Sequence, residues 1–152
     1  MLSDTNHRVA DATCEHVNQQ IRERTRRDLA RYAKASRSEI TARLRELDQE
    51  WDIERTLQAN AASFSLAGLV LGATVNRKWF IFPGVVAAFL LQHAVQGWCP
   101  PLPVFRRLGI RTSAEINEER YALKALRGDF DHVKNNQGSK PNVDKVYAAT
   151  RQ

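Results

Sequence analysis

Two apolar stretches lying back to back, with only Asn76, Arg77 and Lys78 between them, constrain this chain more than any other feature. Residues 56–76 are 21 in a row without a formal charge, and residues 79–105 are 27 in which His93 and Cys99 are the only titratable side chains. Inside them, residues 57–75 and 79–97 are 19 residues each. That length is roughly 28 Å of helix at 1.5 Å per residue and matches the ~30 Å hydrocarbon core of a bilayer. A three-residue connection permits only antiparallel neighbours. The pattern predicts an all-α protein with a transmembrane helical hairpin at residues 57–97 and amphipathic cytoplasmic helices on either side. The competing reading is a hairpin buried in a soluble bundle. It is disfavoured because soluble chains seldom carry two adjacent charge-free runs of this length.

Whole-chain averages hide this organisation. The mean hydropathy of −0.48 averages a greasy centre with polar ends, and the net charge of +6 is dispersed over the flanks. Residues 1–37 carry 8 basic and 5 acidic side chains, 38–56 carry 3 and 6, 57–105 carry 2 and 0, and 106–152 carry 10 and 6. Apart from the short cluster Arg22, Arg24, Arg26, Arg27 and Arg31 there is no continuous basic face to neutralise phosphates, so nucleic-acid binding is not expected. The first 20 residues are polar and contain no apolar h-region, so insertion is expected to depend on the internal spans. Trp79 at the tip, with Trp51 and Trp98 at the other end, sit where amphipathic rings favour the membrane interface. The 20 residues before Thr56 hold 4 basic side chains, the 20 from Arg106 hold 5, and the tip holds 2. Both termini are therefore expected in the cytoplasm.

The flanks divide into four segments. Residues 1–35 read as a weakly helical basic extension, with a helix over about 11–34. Residues 36–56 read as an amphipathic cytoplasmic helix: Ser36 and Glu39 have capping-box spacing, and Ile40, Leu44, Leu47 and Trp51 form one face. On its polar side Glu39 can pair with Arg43, whereas Glu46, Glu50 and Glu54 repel one another unless a cation lies beside them. In residues 98–130, Pro100, Pro101 and Pro103 are expected to enforce an extended segment. A helix then starts near Ser113, with Thr112 and Glu115 as a second capping box, Ile116, Leu123 and Leu126 as an apolar stripe, and Gly128 as its stop. Residues 131–152 turn to polar, Gly- and Pro-containing sequence and read as a disordered tail.

Three groups of residues are candidates for a role. Gly68 and Gly72 in the first span, with Gly84 and Ala88 in the second, repeat at four-residue spacing. Small residues one turn apart let helix backbones approach closely, either within the hairpin or across a homodimer. Gln92, His93 and Gln96 in the cytoplasmic half of the second span need hydrogen-bond partners, which Asn60 or Gln58 at matching depth can supply. This intramembrane polar cluster of Asn60, Gln92 and Gln96 is read as structural, with a proton relay or ligand site as the alternative. Cys99 lies beside Pro100, with Arg106 and Arg107 nearby to favour a thiolate, and together with His93 is the candidate thiol or ligand position. One thiol and one histidine fall short of the four ligands of a structural zinc, so no metal and no cofactor is expected. Cys14 with His16 and His7 lacks a second cysteine pair and is not read as a site. The two cysteines lie in different surroundings, which disfavours a disulfide.

The stretch Gly97-Trp98-Cys99-Pro100-Pro101-Leu102-Pro103, followed by Arg106-Arg107-Leu108-Gly109-Ile110, resembles the closing signature of the bacterial YgaP-like transmembrane domain family, a two-helix family of unassigned function. The resemblance runs over about residues 40–130 and takes in Asp52-Ile53-Glu54-Arg55 and Leu91-Gln92-His93. It implies a bacterial inner-membrane location. Members of the wider family are sometimes fused to a rhodanese sulfurtransferase domain, of which this sequence shows no sign. No nucleophile triad, paired carboxylates or phosphate-binding loop stands out, so no enzyme activity is expected. The function expected is that of a multi-pass membrane anchor, scaffold or accessory subunit, with the lipid bilayer and a second copy or a larger complex as partners. The alternative is a thiol-dependent sulfur or redox carrier that works with a sulfurtransferase through Cys99.

Overall fold

The computed structural model describes residues 7–131, so the expected tail, beyond Asp131, lies outside the described residues. Every regular element among these residues is helical: α1 (Arg8–Asp11), α2 (Glu15–Tyr32), α3 (Arg37–Gln49), α4 (Ile53–Thr74), a 3₁₀ turn (Arg77–Phe80), α5 (Ile81–Gln96), α6 (Leu102–Arg107) and α7 (Ser113–Arg127). The described residues fall into two compact units, 7–23 with 51–116 and 24–50 with 117–131.

In the first unit, α4 starts four residues earlier than the apolar run. Asp52 caps it by accepting a hydrogen bond from the Arg55 N–H at 2.8 Å, which satisfies one of the orphan donors of a helix start. At the tip, the Asn76 side chain accepts from Lys78 N–H at 2.9 Å and opens the 3₁₀ turn that holds Arg77 and Lys78. α5 then runs back along α4. A Cβ added at Gly68 would stand 2.8 Å from Pro83 Cδ, and one at Gly72 would stand 2.8 Å from the Phe80 ring. Phe64 and Phe82 meet edge to face at 6.4 Å. The glycines of α4 thus receive rings from the other helix. Gly84 does not take part: an added Cβ there would meet nothing within 4 Å, and Ala88 is exposed too. The reason is phase, because Phe82 and Pro83 occupy the face of α5 that meets α4, with Phe80 of the preceding turn beside them.

α5 ends at Gly97, whose φ of +73° is the left-handed conformation that glycine adopts without strain. The glycine has a second reason to be there: a Cβ would lie 2.6 Å from the Arg8 carbonyl oxygen of α1. The proline segment is not extended, as expected, but carries the short helix α6. Pro101 stands at its N-cap and Pro103 in its first turn, where the missing N–H would have no intrahelical partner anyway. Val9, Ile53, Leu57, Cys99 and Leu102 form the buried apolar centre of this unit. The N-terminal helix expected over 11–34 is broken instead at residues 12–14, between α1 and α2.

In the second unit, the capping box at Ser36 and Glu39 is formed. Ile40, Leu44 and Leu47 of α3 and Leu123 of α7 are buried. The two helices run antiparallel there: Arg37 donates to the Arg127 carbonyl at 2.8 Å, Arg43 to Glu119 at 2.9 Å, and Arg120 to the Leu47 carbonyl at 3.2 Å. Arg43 therefore serves Glu119, which is fully buried, and Glu46 rather than Glu39. Glu39 is spent on the cap.

Candidate functional site

The polar residues of the first unit converge where the base of α4 meets the end of α5. Glu54, in the first turn of α4, accepts a hydrogen bond from Arg8 Nη2 at 3.0 Å through Oε1 and sits 3.0 Å from His93 Nε2 through Oε2. Arg8 also donates from Nη1 to the Ala94 carbonyl at 2.9 Å. It places its positive charge at the C-terminal end of α5, where the helix dipole favours a cation. His93 and Arg8 hold the Glu54 carboxyl below the usual carboxylate range, against the opposing effect of partial burial.

His93 is only 2 % exposed, and its Nδ1 has no hydrogen-bond partner. Cys99 is the other side chain within interaction reach of the ring. It is a free thiol, 4 % exposed. Cys99 also lines a largely apolar cavity of about 160 Å³ between α4, α5 and α6, walled by Leu57, Asn60, Phe64, Phe89, Leu90 and Phe105. The arrangement is a thiol, an imidazole and a carboxylate in series, with a greasy chamber on the thiol side.

A second polar centre lies beside it. Arg106 is 1 % exposed and its guanidinium is fully engaged: Nη1 donates to Glu115 at 2.7 Å and to the Ile110 carbonyl at 3.1 Å, Nη2 to Glu115 at 2.7 Å and to Asn18 at 2.9 Å, and Nε to Thr13 at 3.2 Å. Glu115 completes the capping box of α7 by accepting the Thr112 N–H at 2.8 Å. Burial works against its charge, but Arg106 and Thr112 more than offset it, so its carboxyl also sits below the usual range. Gly109, with φ +84°, turns the chain between these groups so that Ile110 N–H reaches the Phe105 carbonyl at 3.1 Å.

The structure brings together Cys99 and His93 and leaves the remaining sequence candidates elsewhere. Asn60 donates to its own helix, to the Thr56 carbonyl at 2.8 Å, and Gln92 pairs with Gln96 at 3.5 Å on the outer side of α5. The polar cluster expected among these residues and His93 is therefore not assembled. His93 points inward, one helix phase away from Gln92 and Gln96, and finds Glu54. Among the described residues no group of His, Cys, Asp and Glu is placed to hold a metal ion. Glu54, Arg8, Arg106 and Glu115 were not singled out as site residues. The first stands in Asp52-Ile53-Glu54-Arg55 and the third in the Arg106-Arg107 pair, both part of the resemblance, whereas nothing at Arg8 signals a partner 46 residues away.

Among the described residues one stretch, Arg77–Gln96, is long and apolar enough to cross a membrane, and only 6 % of its apolar window is buried. A core helix of a soluble protein would be covered. Residues 52–115 match the family model of the inner membrane protein YgaP-like transmembrane domain. The match begins at the Asp52 cap and ends at Glu115, so it contains Glu54, His93, Cys99 and Arg106 but neither Arg8 nor Asn18. No match was found among curated proteins or solved structures. Residues 52–115 are thus similar to an inner-membrane protein domain. The second expected span, α4, does not meet the same measure of apolarity, because Gln58, Asn60, Ser63 and Ser65 dilute its first half.

Proposed function

We propose that this chain is a small multi-pass bacterial inner-membrane protein, anchored by α4 and α5 crossing as a hairpin with both termini cytoplasmic. In this reading it serves as a non-enzymatic anchor or scaffold that self-associates or joins a larger membrane complex. The observation that carries this reading is the outer surface of the helix pair. Leu66, Leu69 and Val70 on α4, and Ile81, Leu91 and Val95 on α5, are between 47 % and 70 % exposed. That much open apolar surface belongs in lipid or against another protein. Part of the polarity of α4 is met within the helix, since Asn60, Ser63 and Thr74 hydrogen-bond carbonyls of their own helix. The unoccupied Gly84 and Ala88 face of α5 is where a second copy can approach closely.

The test is fractionation followed by topology mapping. The full chain is expected in the high-speed pellet and released by detergent alone. A reporter active only in the cytoplasm should give signal at either terminus and none when inserted at Arg77. Recovery of the chain in the detergent-free supernatant, or signal at Arg77, overturns the reading. Disulfide crosslinking of a Gly84→Cys variant in native membranes tests self-association directly.

A further inference from the structure

Arg77 and Lys78 stand exposed at the tip of the α4–α5 pair. Between Glu54 and Glu115 the chain contains no acidic residue, and among the described residues neither side chain makes a hydrogen bond or an ion pair. Lys78 also forms one wall of an open groove of about 480 Å³, whose other walls are Asn76, Trp79, Ile81, Phe82 and Val85. We propose that this groove binds one anionic phospholipid, with the headgroup phosphate on Lys78, Arg77 adding its charge beside it, and the upper part of an acyl chain along Ile81, Phe82 and Val85. The inference rests on the hairpin crossing the membrane as proposed above.

Charge and shape together select this occupant. Two neighbouring cations with no acid beside them attract an anion, and more strongly at the edge of hydrocarbon than in bulk water. A free inorganic anion would meet the cations and leave the apolar walls bare. A zwitterionic lipid would cover the walls but bring its own cationic group to Lys78. A lipid with a net negative headgroup meets both halves of the groove. The turn fixes the spacing of these halves: the Asn76 side chain accepts from Lys78 N–H at 2.9 Å, and Trp79 rests edge-on against Phe82 at 6.3 Å. Trp79 stands at the depth where indole rings meet headgroups. Ile81, Val85 and Phe89, all exposed, follow one another at four-residue intervals on one side of α5, so a chain leaving the groove continues along an apolar row. Basic residues are normally kept on the cytoplasmic side. Two unpaired cations at the translocated end run against that bias, and a bound anionic headgroup offsets it.

The experiment uses the full chain with Trp51→Phe and Trp98→Phe, so that Trp79 alone reports, in phosphatidylcholine vesicles that contain chain-brominated phosphatidylglycerol or chain-brominated phosphatidylcholine. Bromine quenches an indole that it touches. Brominated phosphatidylglycerol is expected to quench Trp79 at a mole fraction about fivefold lower than brominated phosphatidylcholine, the scale of one basic residue against an anionic lipid surface. Lys78→Gln should remove most of this preference and Arg77→Gln a minor part, because Lys78 alone of the two lines the groove. Far-UV circular dichroism checks each variant against the wild type. Should the tryptophan variant not fold, native mass spectrometry of the wild-type chain released from nanodiscs of equal phosphatidylglycerol and phosphatidylcholine gives the same readout, with one phosphatidylglycerol retained. Equal quenching or retention of the two lipids overturns the proposal, as does a preference that survives Lys78→Gln. Equal losses from Lys78→Gln and Arg77→Gln also overturn it, in favour of a general attraction between cations and an anionic surface. Flotation separates this result from a failure of anchoring. A chain that floats with the vesicles and shows no lipid preference removes the site alone, whereas a chain left at the bottom of the gradient removes the membrane reading and the site with it.

Discussion

The two ends of the α4–α5 pair are held by different physics. At the tip, glycine meets ring: Gly68 under Pro83 and Phe82, Gly72 under Phe80, with Trp79 stacked edge-on to Phe82 at 6.3 Å. None of these contacts involves a charge. At the base the helices are tied by Glu54 and His93, and α1 closes over them through Arg8, while Arg106 of α6 binds Asn18 and Glu115. In the proposed membrane placement, the difference follows from what surrounds each end. A lipid environment supplies no hydrophobic drive to bring helices together, so close backbone approach must do it. Where other protein elements cover the helices, buried charges become affordable because each finds partners.

The sharpest way to break this contrast is at the base. Arg106→Met keeps most of the aliphatic packing but leaves the partly buried Glu115 without its cation, so a loss of about 3 kcal/mol, the lower end of the range for a broken buried pair, is expected. It should appear as a large fall in the denaturant midpoint of the detergent-solubilised protein. A shift no larger than that of a surface arginine such as Arg107 would show that the centre is not structural. Next in size is the membrane surface. Val70→Arg or Val85→Arg changes an exposed side chain on each helix, which a soluble fold would tolerate, yet a central arginine costs about 2.5–3.5 kcal/mol on insertion scales. Loss of the chain from the membrane fraction is expected for both. If only Val85→Arg has the effect, α5 crosses alone.

The tip is tested by Gly68→Leu. The Pro83 ring cannot swing aside as a flexible chain would, so overpacking should cost about 1–3 kcal/mol, with the same substitution at Gly84 close to neutral for the monomer. Equal effects at the two glycines would mean that the α4–α5 contact is arranged differently.

How much of this was legible in the sequence depends on the range of the interaction. Local patterns read directly: the capping boxes at Ser36 and Thr112, and the stop at Gly128. Each is written within one or two helical turns. The small-residue spacing was half informative. Gly68 and Gly72 do admit a neighbour, but the neighbour is aromatic, and a spacing rule cannot say which face of α5 turns inward. The base was nearly opaque. Glu54 looked like one of three repelling carboxylates on a single helix, because the break at Asp52 that moves it onto α4 depends on Ser113 and Arg111 reaching across from 60 residues away in sequence, on the order set by the Asp52–Ser113 and Ile53–Arg111 hydrogen bonds. Proline content pointed to extended chain at residues 100–103, where the first turn of α6 accommodates it. Arg8 carries no signal of its partner, and Arg106, read as a cation near Cys99, binds Glu115 and Asn18 instead.

The smallest expected effect concerns pH at the base, and its sign follows from the Glu54 carboxyl. Arg8 and His93 favour its charged form, so its folded pKa lies below the unfolded value of about 4.3. The stabilisation from these contacts is therefore complete above that unfolded value and is lost as pH falls through the lower, folded one. Because Arg8 and Glu54 are both partly exposed, at 24 % and 31 %, the ion pair is worth about 0.2–1 kcal/mol and not the larger figure of a sealed pair. Glu115, Asp129 and Glu39 are shifted in the same direction, so the wild-type profile alone cannot isolate Glu54. The difference between wild type and Glu54→Gln can: the variant should be less stable at neutral pH, with the gap closing as the pH is lowered into the acid range. A gap that stays constant from neutral to acid would show that Glu54 contributes through its shape and neutral hydrogen bonds, and that the base of the helix pair is closer in kind to the tip than its charges suggest.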